Sequence, residues 1–214
     1  MTYLQLVNAV LRRLREDEVA SVSETVYSTM IGDFVNDAKK MAEAAWDWPA
    51  LRQTLTVTTA QSTNSYALTG AGTDFKALNV LNDTSDAVMR YKPASYFDSS
   101  QLTSTSEGVP LEFTYRGTDA NGDTQLEVLP IPDGVYSILF KAVVRQADLT
   151  DDTDILTIPS QPVMYSALAL ATRERGEQGG MSAAEYAALA DNYLSDAVAL
   201  DASRYDDELT WCAV

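Results

Sequence analysis

The spacing of apolar residues changes twice along the chain, and this limits its possible folds. Up to about residue 50, apolar residues recur every three or four positions, which is the period of an amphipathic helix. From residue 54 to about 148 they alternate with polar residues, as in TLTVTT at 54–59, a pattern typical of half-buried strands. The helical period returns from residue 149. Helices followed by strands and then helices indicate separate helical and β regions, with no strand–helix–strand repeats.

The order of these regions predicts an α+β fold. In its simplest form, the two ends of the chain build one four-helix layer and an antiparallel β region is inserted between them. The predicted boundaries are 1–53 for the first half of the helical layer, 54–148 for the β region and 149–204 for the second half, with 205–214 as a C-terminal docking tail. A chain of 214 residues buries roughly 70% of its unfolded surface, so it needs no disulfide or metal to fold.

Capping signals and prolines predict where the helices begin and end. A Ser or Thr followed three positions later by Glu or Gln is the capping-box spacing, and it occurs three times, at Thr2–Gln5, Ser21–Glu24 and Ser182–Glu185. Pro49 disfavours helical backbone at Trp48, so the second helix should end there after about 22 residues. Ser160 is predicted to cap the helix that follows the β region.

Short connections rich in turn residues separate the predicted strands. Such connections favour antiparallel pairing of consecutive strands. The segment between residues 92 and 108 is predicted to form a helical turn and a loop. The candidate strands are 54–59, 65–68, 75–82, 87–91, 110–116, 124–129 and 135–145.

The composition excludes several classes of protein. The chain has no histidine, which removes Ser-His-Asp and Cys-His catalysis and the usual zinc sites. Cys212 is the only cysteine, so no disulfide forms within the chain, and a cytoplasmic origin is favoured. No apolar run approaches the roughly 20 residues that span a bilayer, and the N-terminus lacks the order of a signal peptide. We therefore expect no membrane partner and no cofactor or metal. Enzymes that use carboxylates alone survive these exclusions, although we expect no enzymatic activity.

Two acidic motifs could bind calcium or another metal, although loop interpretations are favoured. The sequence DANGD at 119–123 resembles the start of a calcium loop, but its sixth position is Thr124 and its twelfth is Pro130, so a hairpin turn is predicted. The glycine pair GAG at 70–72 is predicted to be a loop. The second acidic motif comprises Asp151, Asp152 and Asp154, which would either hold a metal or form a solvated loop that supplies negative charge near a helix N-terminus.

Other carboxylates allow two further interpretations. Glu43 and Asp47 lie one helical turn apart and form either an acid–base pair or the polar face of a helix.

The C-terminal third of the chain is strongly acidic. Residues 149–214 contain 12 acidic and 3 basic side chains and so carry more than half of the net charge of −16. This surplus is either a solubility surface or an acidic wall that nucleic acid passes without adhering. The candidate channel-lining residues are Glu185, Asp191, Asp196 and Asp201.

Tryptophans mark two further candidate sites. Trp46, Trp48 and Pro49 stand where helix gives way to strand, and they form either part of a ligand cleft or the junction between the helical and β layers. We predict the junction, because each large ring would bury extensive surface there. The C-terminal tail contains Leu209, Trp211 and Val214, which we predict to dock on a partner, because Trp is favoured in interface anchors.

Several segments resemble the head-to-tail adaptor proteins of tailed bacteriophages, which in short-tailed phages are also called tail tubular protein A or head completion proteins. The similar segments are LVNAVLRRLRE at 6–16, VYSTMIGDFVNDAKKMAEAAWDWPALRQTLTV at 26–57, LEVLPIPDGVYSILFKAVVRQADLTDDTD at 126–154 and IPSQPVMYSALALATRERGE at 158–177. The resemblance covers roughly residues 1–60 and 110–200. It carries over no functional residues, since none of these segments is a catalytic signature.

The resemblance implies a structural virion protein that is assembled in the host cytoplasm. It implies a dodecameric connector ring beneath the portal protein, which extends the channel for genome ejection and supports the tail nozzle and, in short-tailed phages, the tail fibres. Double-stranded DNA would pass through the ring without specific binding. The tail residues would then dock on the portal or on a neighbouring subunit.

Two alternatives from other classes remain open. The β region could be a carbohydrate- or ligand-binding module, with its tyrosines gathered on one exposed surface: Tyr66, Tyr91, Tyr96 and Tyr115. The chain could also be a carboxylate-dependent hydrolase. A hydrolase would need a cleft with two carboxylates roughly 5–10 Å apart and a raised pKa on one of them.

Overall fold

The computed structural model describes residues 1–103, 106–176 and 182–204; for residues 101–103 it describes the backbone but not the side chains. Within these residues the chain forms five α-helices and ten strands, which confirms the α+β class. The helices are α1 (Tyr3–Arg13), α2 (Val26–Ala45), α3 (Ala94–Thr103), α4 (Ser160–Glu174) and α5 (Ala183–Ala202). The strands are β1 (Arg52–Thr58), β2 (Ser65–Ala67), β3 (Phe75–Asn82), β4 (Ala87–Val88), β5 (Arg90–Tyr91), β6 (Glu107–Gly108), β7 (Glu112–Thr118), β8 (Thr124–Leu129), β9 (Ile131–Pro132) and β10 (Ser137–Val144).

The chain divides into two compact units. The helical unit comprises Met1–Ala50 and Gln146–Val214, and the β unit comprises Leu51–Arg145. The helical unit contains α1, α2, α4 and α5, and α4 contacts the other three. Whether these helices act as one four-helix layer in an assembly remains a prediction.

The apolar stripes predicted at the two ends of the chain form the core of the helical unit. Side chains from α1, α2 and α4 are completely buried there, among them Leu6, Val10, Ile31, Val35 and Leu168. Burying an aliphatic side chain of this size stabilises the fold by about 1.5–3 kcal/mol. The helical period of the sequence therefore identifies the residues that pack together.

Two of the three predicted capping boxes are confirmed. The hydroxyl of Thr2 accepts from the backbone N–H of Gln5, whose side chain accepts from the N–H of Thr2. The same reciprocal pair joins Ser182 and Glu185 at the start of α5. Each box satisfies two N–H groups that a helix leaves without internal acceptors.

The predicted starts of α2 and α4 are wrong. Helix α2 begins at Val26 and has 20 residues, because Thr25 caps it and Ser28, in place of a Glu or Gln, returns the hydrogen bond. The carboxylate of Glu24 instead accepts from the backbone N–H of Ala20. Helix α4 already includes Ser160, and Pro159 precedes it without a side-chain cap.

Two four-stranded sheets form most of the β unit. Their strand orders are β1-β10-β3-β4 and β2-β8-β7-β5, and β6 pairs separately with β9. Antiparallel pairing predominates, as predicted, but the two-residue pairs β5–β7 and β6–β9 are parallel. The segment predicted as one strand at 87–91 is divided at Met89, so β4 joins the first sheet and β5 joins the second.

The two sheets share one hydrophobic core. The first sheet contributes Val80, Ile138 and Phe140, and the second contributes Phe113 and Leu126. The rings of Phe113 and Phe140 meet edge to face, with their centroids 5.5 Å apart. The alternating pattern of the sequence places these side chains on the inner faces, since successive residues of a strand point to opposite sides.

The predicted hairpin at 119–123 is confirmed. The Asp119 carboxylate accepts from the backbone N–H groups of Asn121 and Asp123 at 2.8 and 2.9 Å. Gly122 has a φ of 86°, which glycine adopts without strain. These bonds, led by the one from Asp123, lower the pKa of Asp119. The carboxylate is thus a structural part of its own turn.

A buried lysine fixes the segment by which the chain returns to the helical unit. The Lys39 side chain, on α2, is completely buried, and its Nζ donates to the carbonyls of Gln146 and Ala147 at 2.6 and 2.7 Å. The same Nζ lies 3.9 Å from carboxylate oxygens of both Glu43 and Asp148. Burial lowers the pKa of Lys39, and the two carboxylates oppose that shift. Glu43 is buried beside the lysine, so its predicted place on a polar helix face is wrong.

Replacing Lys39 with alanine should lower the free energy of unfolding by about 3–5 kcal/mol, because it leaves buried polar groups without their cation. Lys40→Ala is the matched control. Its ion pair with Asp148 is about half exposed, so solvent screens it and the loss should be far smaller than for Lys39→Ala. Chemical denaturation followed by circular dichroism measures both changes. Equal losses in the two variants would contradict this role of Lys39.

Candidate functional site

Three of the four predicted channel-lining carboxylates lie on the surface of α5. Glu185, Asp191 and Asp196 are exposed, whereas Asp201 is buried. Glu185 also caps its own helix by accepting from the N–H of Ser182 at 2.7 Å. The helix contains no Lys or Arg, so its exposed charges are all negative.

The fourth carboxylate, Asp201, joins α5 to the end of α2. Its Oδ2 accepts a hydrogen bond of 2.8 Å from Nε1 of Trp46, which is 36% exposed. The Asp201 side chain lies 3.7 Å from Arg204, and the residue is only 5% exposed. This carboxylate therefore holds two helices together and presents little charge to solvent.

Trp48 closes the last turn of α2. Its Nε1 donates to the carbonyl of Ala42 at 2.9 Å, and the residue is 3% exposed. Ala42 is among the last four residues of the helix, whose carbonyls lack partners within it. Pro49 then begins a short 3-10 turn, Pro49–Leu51, that leads into β1. Both indole N–H groups are thus bound within the helical unit, and a role of the tryptophans in orienting the two units stays a prediction.

The predicted docking residues Leu209, Trp211 and Val214 lie outside the described residues.

The predicted acidic loop with Asp151, Asp152 and Asp154 lies within the described residues. Asp154 accepts from the N–H groups of Thr150 and Asp151 at 2.8 and 2.9 Å, and these bonds lower its pKa. The Asp152 carboxylate accepts from the N–H of Val22 at 2.9 Å. Nowhere in 1–103, 106–176 and 182–204 do three potential metal-ligating side chains come together.

A groove that the sequence did not reveal lies in the β unit. It has a volume of about 720 Å³, and β3 forms one wall of it. Met89, Tyr91, Phe113 and Tyr115 also line it. Phe113 and Tyr115 belong to β7, in the other sheet, and only the fold brings them beside β3. We call this cavity the aromatic groove.

The rings of the aromatic groove support one another. Tyr115 lies 5.7 Å from Phe75, 5.9 Å from Tyr91 and 5.6 Å from Phe113, measured between ring centroids. Burial raises the pKa of Tyr115 to about 12. Aromatic contacts of this kind contribute about 0.5–1.5 kcal/mol beyond the buried area, so they stabilise the arrangement of these rings.

Only two of the four tyrosines expected in a ligand-binding module lie in this groove. Tyr91 and Tyr115 line it, whereas the hydroxyl of Tyr66 bonds to the backbone of Ala60 and the ring of Tyr96 packs against Phe97. The hydrolase alternative requires a carboxyl with a raised pKa. The shifts of Asp119 and Asp154 are in the opposite direction.

Comparison with known protein families identifies the chain. It matches the model of the SU10 adaptor protein family over residues 1–210 and therefore belongs to that family. It is thus an adaptor-type structural protein of a bacteriophage, of the kind found between head and tail. A search of curated proteins gives no match. None of the helices in the described ranges is long and apolar enough to cross a membrane.

Asp201→Ala should destabilise the helical unit by about 1–3 kcal/mol, because it leaves the Trp46 N–H without its acceptor. Asp201→Asn keeps an acceptor oxygen at the same position and should cost less. The control is Asp196→Ala on the exposed face of the same helix, where we expect a change within about 0.5 kcal/mol. Thermal or urea denaturation compares the three variants. A loss for Asp201→Ala no greater than for the control would show that this hydrogen bond does not hold α5.

Proposed function

We propose that the protein is a head-to-tail adaptor of the tail tubular protein A or head completion type. Copies of the chain form a ring beneath the portal, extend the DNA channel and support the tail nozzle and, in short-tailed phages, the fibres. The observation that carries the proposal is the family match, which spans residues 1–210. Membership of the adaptor family implies contacts with portal and tail components. That these contacts are made by a ring of copies is our proposal.

The surface of the subunit suits a ring. A closed ring needs heterologous contacts, in which one face of each subunit meets a different face of the next. Large apolar side chains are exposed on both units, including Met41 and Leu200 on the helical unit and Val88 and Val135 on the β unit. Contacts with other subunits would remove such side chains from water.

Helix α5 is our candidate for the wall of the channel. Its exposed carboxylates repel the phosphates of passing DNA, so the DNA gains nothing from displacing counterions. Only Ala183, Ala190 and Asp201 of this 20-residue helix are buried, which leaves most of its surface for another role. Asp201 is not part of the proposed wall because its carboxylate is bound to Trp46.

The first test is the number of copies in purified virions, measured by quantitative mass spectrometry against the major capsid protein. We expect about twelve copies, the number that the resemblance to head-to-tail adaptors implies for a closed ring at a single vertex. Hundreds of copies would instead identify a capsid decoration. Absence of the chain from virions would reject the adaptor function.

Charge reversal tests the channel wall. The double variant Asp191→Lys, Asp196→Lys should slow genome ejection, because lysines attract the phosphate backbone, and added salt should reverse the effect. Asp17→Lys, Asp37→Lys is the matched control, since both residues are exposed on the same unit. Ejection is followed by the fluorescence of a DNA-binding dye. If both double variants eject at the wild-type rate, α5 does not line the channel.

A further inference from the structure

On one side of strand β3, the neighbouring strand pairs with only part of its length. Strand β10 pairs with it along one edge, but β4 pairs only with Leu81 and Asn82 on the other. Within the described ranges, no strand covers that outer edge at Ala77–Asn79. An exposed edge presents backbone N–H and C=O groups that can pair with an added strand.

The aromatic groove borders this same edge. Residues 75–80 of β3 all line it, and the rings of Tyr91 and Tyr115 face them. The pairing of β3 with β10 shifts register at Leu78, which is 42% exposed in the groove. A strand added here would gain main-chain hydrogen bonds from β3 and an apolar pocket for its alternate side chains. Edge and pocket together are the two elements of recognition by strand addition.

We propose that the C-terminal segment 205–214 of a second copy of this chain binds in the aromatic groove as a strand beside β3. The described chain ends at Arg204, two residues after α5, and ten residues follow it. As a strand, they extend roughly 33 Å, at about 3.3 Å per residue, which is ample for the edge at Ala77–Asn79.

The composition of the segment fits the groove. In YDDELTWCAV, Leu209, Trp211 and Ala213 occupy alternate positions and would share one face of a strand. The Trp211 ring suits a pocket walled by tyrosine and phenylalanine. Three acidic residues precede this apolar part.

The stoichiometry favours a second copy over another protein. Each subunit supplies one tail and one groove, so the contact can repeat from subunit to subunit until a ring closes. The inference rests on the proposed function, because it supplies one of the contacts that the ring requires.

The test uses the single cysteine of the chain, Cys212. We introduce Leu78→Cys into the full chain, oxidise mildly and examine purified particles on a non-reducing gel. A disulfide needs Cα atoms within roughly 7 Å, so it reports direct pairing. We expect dimers and a ladder of higher species, with most of the chain cross-linked. Consecutive residues of a strand face opposite sides, so Cys212 would lie on the side away from Leu209, Trp211 and Ala213. Mass spectrometry should therefore show the linkage from position 212 to position 78 or, in an Asn79→Cys variant, to position 79.

Two control variants make the result specific. Thr56→Cys places a thiol at an exposed position of β1, the opposite edge strand of the same sheet, which does not line the groove, and it should give at most a tenth of the cross-linked product. Leu78→Cys combined with Cys212→Ser should give no ladder. Asn79→Cys serves as a second edge position, and cross-linking there also supports the proposal.

Three results would overturn the proposal. They are cross-linking at position 56 equal to that at the edge positions 78 and 79, no cross-linking at either edge position, and a linkage confined to single chains. If particles contain about twelve copies but show none of the expected linkage, this inference fails and the adaptor function stands. If particles lack the chain, the adaptor function fails, and the same cross-linking in concentrated purified protein decides the docking.

Discussion

The helical unit depends on joining two parts of the chain that are separated by the entire β unit. Burial of Lys39 performs much of this task, because its ammonium group binds two carbonyls of the returning segment. Asn36 adds to it by both donating to and accepting from the backbone of Leu149, at 3.0 and 2.9 Å. A buried cation is costly to desolvate and contributes little net stability. Its directional bonds instead fix one position for the segment, which apolar packing alone would not do.

This anchoring has consequences for the last helix. Helix α4 follows the anchored segment and contacts α1 and α2, while α5 packs on α4. Helix α5 is therefore attached along one narrow side, with the Trp46–Asp201 bond near its end. A helix that buries so little of its surface has its other faces available. Its exposed carboxylates and its lack of Lys and Arg are consistent with the proposed channel wall.

Local signals of the sequence predicted most helices and strands. They failed where burial or strand pairing depends on residues distant in the sequence. The capping boxes at Thr2 and Ser182 involve only residues within one helical turn, so the spacing in the sequence was sufficient to predict them. Glu43 is four residues after Lys39, a spacing that usually marks an exposed ion pair. Only the contact with the returning segment makes this pair internal. The division of 87–91 at Met89 likewise depends on which sheet each half joins, and no local pattern encodes that choice.

The aromatic groove was unpredictable for the same reason, and its shape bears on assembly. A long, flat, open edge invites uncontrolled aggregation, and proteins usually cover or interrupt such edges. Here β4 covers one end of the β3 edge, and the irregularity at Leu78 interrupts the regular ladder. The open stretch is therefore too short to propagate a sheet, yet it is sufficient to hold one short segment beside an apolar pocket. An edge limited in this way fits the proposed contact, in which each subunit accepts a single strand from one neighbour.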